Sequence, residues 1–131
     1  MSLVTPTTGE VLMLQYILNV TPADNRILHL YQNNVTPVQS TVLGDLVEAN
    51  QPGYNPITLM GSNWTITTTA GISTASYPEQ VFIFTSAATI FGYFITTTNN
   101  QLLWVERFSN GPYTLPTNGG ELAVTPNFSL D

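Results

Sequence analysis

Apolar positions change their spacing once along the chain, and the change separates a helical opening from a long run of strands. The block Val11-Leu12-Met13-Leu14-Gln15-Tyr16-Ile17-Leu18 is apolar at every position but Gln15. Thr7-Thr8-Gly9-Glu10 precedes it and reads as a capping box, a hydroxyl at the cap and a carboxylate three residues on. Glu10 also suits the first turn of a helix, where negative charge meets the positive end of the dipole. Periodicity alone does not separate helix from strand in an apolar run this short, but the cap favours a short helix ending near Asn19. Apolar residues on every face of that helix predict burial all round.

Beyond it, short runs rich in Thr, Ile, Val, Phe and Tyr alternate with turn clusters, the pattern of a sandwich or barrel. The predicted strands are Arg26–Tyr31, Tyr54–Met60, Trp64–Thr69, Val81–Thr85, Thr89–Thr97, Leu102–Phe108 and Glu121–Thr125, with a last short one near Phe128. Ser40–Ala49 reads equally as an irregular loop or one helical turn. Asn99-Asn100 reads as a two-residue hairpin, because asparagine tolerates positive φ, and Asn118-Gly119-Gly120 as a second turn. Thr89–Thr97 and Leu102–Phe108 are apolar on both alternating faces. A sheet packed on one face alternates cleanly, so these two strands lie between layers or meet another chain. With no linker block and no repeat, residues 1–131 read as a mainly β, single-domain antiparallel β-sandwich, jelly-roll-like, with one short N-terminal helix. Residues 1–25 form an arm and helix packed on it.

Charge sharpens this picture. Only 8% of the 131 residues are charged, against about 25% in an average domain. Eight acids face two bases, Arg26 and Arg107, and there is no lysine, giving a net charge of −6. Nucleic acid and anionic membranes both require clustered cations, so neither is an expected partner. The longest apolar run falls far short of a membrane span. Met1-Ser2-Leu3-Val4 carries no basic region, so no secretory signal is expected, and the sequons at Asn19, Asn34, Asn63 and Asn127 are read as unmodified. Absence of cysteine removes thiolate chemistry.

Reactive groups are few. His29, the one histidine, lies between Leu28 and Leu30 in a predicted strand, without a nucleophile elbow or a second ligand at metal spacing. It is read as structural. Asp45 and Glu48 are close in sequence but do not form a calcium loop. Asn118-Gly119-Gly120 lacks the lysine and helix of a phosphate loop. Glu106 is the carboxylate of interest, since alternation places it on one face with Leu102, Trp104 and Phe108. There it calls for a raised pKa or an arginine, with Arg26 as the available partner and Arg107 on the opposite face. Trp64, Trp104, Tyr54 and Tyr113 could stack on sugars but are expected to fill the core. No catalytic residue, metal or cofactor is expected.

The ordered segments Gly9–Asn19, Leu28–Pro37, Gly53-Tyr54, Leu59–Trp64, Gly92-Tyr93-Phe94, Leu102–Phe108, Gly111-Pro112-Tyr113 and Gly120–Phe128 together resemble a group of small tailed-bacteriophage structural proteins, of the kind carried by phages of aquatic bacteria. The likeness spans nearly the whole chain, through packing and turn signatures. It implies a virion component, best suited by size to a capsid decoration (cement) protein whose partner is the major capsid protein. No functional residues come with it. A −6 protein without lysine belongs on the outer surface, away from packaged DNA. Many symmetric copies favour a homo-oligomer. The candidate contact residues are Val11, Leu12, Leu14, Tyr16, Ile17 and Leu18 on the helix, with Trp104 and Glu106. The rival expectation is a tail or fibre component that binds a host glycan; a small hydrolase comes third.

Overall fold

A computed structural model describes residues 3–18, 20 and 23–130. Twelve strands and one helix follow in the order β1 (Leu3–Val4), α1 (Thr7–Ile17), β2 (Arg26–Tyr31), β3 (Ile57–Leu59), β4 (Thr65–Thr69), β5 (Ile72–Ser76), β6 (Gln80–Phe84), β7 (Ala88–Ile90), β8 (Gly92–Thr97), β9 (Leu102–Arg107), β10 (Tyr113–Leu115), β11 (Gly120–Val124) and β12 (Asn127–Leu130). The fold is mainly β and sandwich-like. A five-stranded sheet in the order β1-β9-β8-β2-β3 forms one layer. Three small antiparallel sheets, β10-β7, β11-β6 and β12-β5-β4, lie over it.

The apolar runs without alternation are explained by burial on both sides. Leu28, Leu30, Tyr93, Ile95, Leu103 and Trp104 pack on Phe82, Phe84, Ile90, Leu122 and Val124 of the small sheets. The opposite face carries Tyr31, Phe94, Leu102 and Val105, covered by Leu46, Val35 and Leu43 from the segment between β2 and β3. That segment, ambiguous in sequence, is a loop holding one 3-10 turn at Leu43–Asp45. Asn33 ties it down, its amide donating to the Asp45 carbonyl and its oxygen accepting from the Val47 N–H.

The helix starts earlier than predicted, and the capping box is not made. Pro6 is the N-cap, so there is no cap N–H for a glutamate to receive. Glu10 falls in the fourth helical position, where its carboxylate accepts from Gln39 Nε2 at 3.0 Å instead. The predicted end at Asn19 lies outside the described residues, but Leu18 closes the last turn through its N–H to Leu14 O, 3.0 Å. All-round burial is also corrected. Only Gly9 and Leu12 are buried, because α1 lies at the margin of the sandwich rather than within it. Gly9 permits this packing: a Cβ there would collide with the Leu103 carbonyl of β9.

Two hairpins differ in how openly they were signalled. Asn100 takes positive φ in the β8–β9 turn as expected, but the loop has three residues, closed by Thr97 N–H to Gln101 O at 3.0 Å. The β4–β5 turn is Ala70-Gly71, both at positive φ, joining Thr69 directly to its partner Ile72.

Candidate functional site

A groove of about 360 Å³ runs between α1 and β12, lined by Thr5, Glu10, Met13, Leu14, Ile17, Phe128 and Leu130. Leu14 and Ile17 on its helical wall are 59% and 78% exposed and Leu130 opposite is 62% exposed, and the unburied side of α1 continues beyond the groove with Leu18 at 69% and Val11 half exposed. Such a cluster of aliphatic side chains in water is the candidate contact surface. Of the eight predicted contact residues, Val11, Leu14, Ile17 and Leu18 belong to this face. Tyr16 is half-buried beneath the guanidinium of Arg26, 4.7 Å from its ring centre. Leu12 and Trp104 do not belong to it. Both are buried, and Trp104 packs between Trp64 and Phe128.

Glu106 keeps the face of Trp104 and Phe108 that alternation gave it, opposite Tyr93, but Leu102 leaves that face. A β-bulge between β8 and β9 shifts the register after Ile95. Leu102 is thereby turned onto the loop-covered face, while Leu103 and Trp104 both reach the main core. On that face Glu106 lines a recess of about 370 Å³ with Tyr93, Phe108, Tyr113 and Leu122. Its expected arginine is taken: Arg26 Nη1 pairs with Asp24 Oδ1 at 2.5 Å. Arg107 lies on the opposite face, donating to the Val35 carbonyl and covering the Phe91 ring. The Tyr93 hydroxyl beside Glu106 donates to the Asn127 carbonyl at 3.4 Å; burial first, and then the Glu106 carboxylate, raise this phenol well above its ordinary range.

His29 is buried and fully engaged. Its Nδ1 donates to Glu48 Oε2 at 2.7 Å, its Nε2 meets Thr96 Oγ1 at 2.8 Å, and its ring stacks on Phe94 with centres 4.6 Å apart. An ionised carboxylate only accepts, which assigns the proton to Nδ1. Tyr54 donates to the same Glu48 oxygen at 2.7 Å and accepts from the Leu30 N–H at 3.0 Å. Burial would raise the Glu48 carboxyl, but the hydrogen bonds from His29 and Tyr54 and the His29 charge outweigh it and hold it below its ordinary value. Threonine, histidine and glutamate thus line up as a hydrolase triad would. The hydroxyl that would attack is 1% exposed, however, and no substrate carbonyl can reach it. The arrangement joins β2, β8 and the covering loop.

Sequence reasoning read His29 as structural and weighed Glu48 as a candidate carboxylate, but did not bring Glu48 against His29 and gave no hint of Thr96; they lie 19 and 67 residues away. Of the aromatic residues considered for sugars, Trp64, Trp104 and Tyr54 pack in or against the core, and Tyr113 alone is exposed. Among the described residues no group of three or more potential ligands could hold a metal, and no helix is long and apolar enough to cross a membrane. No protein family model and no curated protein matches the chain.

Proposed function

We propose that this protein is a viral structural protein that docks on the outer surface of an assembled bacteriophage capsid and stabilises it as a decoration protein. The observation that carries this reading is the aliphatic face of α1, with Leu14, Ile17 and Leu18 in water beside Leu130. A shell of major capsid protein offers many symmetric copies of a complementary surface, and an uncharged contact loses little hydration on docking. The −6 charge keeps the protein away from packaged DNA.

Electron microscopy and mass spectrometry of purified virions test the placement; absence from the capsid shell refutes it. Adding the protein to undecorated shells tests the surface. L14S/I17S should leave the fold stable within about 0.5 kcal/mol, as surface changes do, yet lose binding to the shell.

One observation favours a second reading, a tail or fibre component that binds a host glycan. Tyr113 is exposed at the recess where Glu106 and Phe108 converge, its ring 5.1 Å from that of Phe108. An aromatic face beside a carboxylate suits a sugar ring. That reading requires glycan-array binding that Y113A abolishes, and location at the tail.

A further inference from the structure

Strand edges carry rows of unpaired N–H and C=O groups, and folded proteins usually shorten, charge, interrupt or cover them. Most edges of this molecule are treated in one of these ways. The five-stranded sheet ends in β1, with two residues, and β3, with three. β7 and β10 have three each. β11 carries Glu121, and β6 is flanked by Pro52, whose carbonyl accepts from the Thr85 N–H at 2.9 Å. β12 faces α1 across the groove.

β4 is the exception among the described residues. Thr65-Ile66-Thr67-Thr68-Thr69 is five residues long, without charge, proline or bulge, and every residue is exposed. Ile66 is 73% exposed although it heads a cross-strand row with Ala75 and Phe128 that leads back to Trp104. Trp64 and Tyr77 anchor the root of the hairpin through edge-on rings 5.1 Å apart, so the strand is held out rather than loose.

We propose that β4 is a homodimer interface, pairing antiparallel with β4 of a second copy about a two-fold axis at Thr67. The register follows from the turn. Thr69 and Ile72 flank a two-residue loop and exchange both backbone bonds, so Thr67 and Thr65 likewise face β5. The outward backbone groups therefore belong to Ile66 and Thr68. Antiparallel pairing about Thr67 sets Ile66 of each copy opposite Thr68 of the other, and the four resulting bonds use every outward group of these two residues.

Charge selects the occupant. Two molecules at −6 repel over most of their surfaces, whereas β4, β5 and β12 contain no charged residue. The same face brings the two Ile66 side chains into a diagonal cross-strand contact and covers both. Cross-strand threonine and β-branched pairs are favourable in antiparallel sheets. Isologous pairing consumes the edge, so the assembly closes at two. This inference is independent of where the protein resides.

The test is sedimentation and light scattering of the full chain, with amide exchange read by NMR. The wild type should pass from monomer to dimer with concentration, and the Ile66 and Thr68 amides should gain protection as it does. Thr68→Pro removes an outward donor while leaving every backbone bond to β5, losing there only the exposed Thr68–Ser73 hydroxyl contact, and should weaken the dimer at least tenfold without loss of the monomer's fold. Ile66→Lys sets like charges near the axis and should do the same, while L14S/I17S should dimerise as wild type. A monomer at about 1 mM, the weak end of specific association, overturns the proposal. So does a dimer that survives both β4 substitutions, a ladder of larger species, or pairing that requires a different protein.

Discussion

Tyr54 lies in a loop yet completes the edge of the central sheet. β3 pairs with β2 only as far as Ile57 opposite Leu28, so the next N–H on that side, from fully buried Leu30, has no strand to bond. The Tyr54 hydroxyl accepts it and donates its own hydrogen bond to Glu48. Tyr54→Phe keeps the ring stacked on Phe82 and Phe84 but strands the Leu30 N–H. It should cost about 1–3 kcal/mol, the penalty of an unpaired buried donor, measured by urea denaturation; an unchanged midpoint would contradict this role. Glu48 adds a pH dependence. Its folded carboxyl titrates below the ordinary 4.5, so its stabilisation is full above that pH and disappears as pH falls through the lower folded value. Glu48→Gln should therefore be less stable at neutral pH and lose part of the decline that sets in as the pH falls below 4.5. A wild-type slope in that variant would show that the carboxylate is not involved. The structural role of His29 was legible from its setting between two leucines. Its partners were not, because a hydrogen bond across 67 residues of chain leaves no local pattern.

Among elements, those with apolar alternation or dense β-branched residues were legible, and those whose signal lay in the backbone were not. β2, β6, β8, β9 and β11 follow the predicted runs closely, while Thr89–Thr97 divides at Phe91 into β7 and β8. β5 was missed because Ile72-Ser73-Thr74-Ala75-Ser76 buries little, and because its turn is disguised. A two-residue loop with both residues at positive φ is ordinarily announced by Asn-Gly or Asp-Gly, but here alanine occupies the first position at φ 53°. An L-residue with a Cβ is disfavoured there by about 1–2 kcal/mol. Ala70→Asn should recover roughly 0.5–1 kcal/mol of that and raise the melting temperature. A lower melting temperature would mean that Ala70 makes a contact worth more than its strain. The bulge in β9 was illegible for a related reason: one extra residue reassigns Leu102 to the other face without changing the composition of the run. For α1, the apolar sequence was plain, but whether it met a core or water depended on where Gly9 let it lie. The candidate site was thus half legible, as a set of residues without their exposure.

At the scale of the whole molecule, scarcity of charge and an uncapped β4 edge have a joint consequence for association. Thr, Asn, Ser and Gln carry the hydration, so the −6 charge acts between molecules mainly as a diffuse repulsion rather than as pairs at a contact. For two copies with centres about 35 Å apart, that repulsion is about 4 kcal/mol in unscreened water. Salt at about 0.15 M reduces it to almost nothing, whereas about 0.01 M leaves roughly 1 kcal/mol. Pairing through an uncharged strand edge should therefore weaken up to about tenfold as salt is lowered over that range at pH 7. The sign is opposite to that of a contact built on ion pairs, which low salt strengthens. It also reverses the behaviour of any protein that holds nucleic acid through phosphate contacts. Lowering the pH toward the isoelectric point near 4.2 discharges both copies and should remove the salt dependence. Sedimentation equilibrium across that grid of salt and pH separates these cases. Association that tightens at low salt would place an ion pair at the interface and exclude β4, which has none to offer.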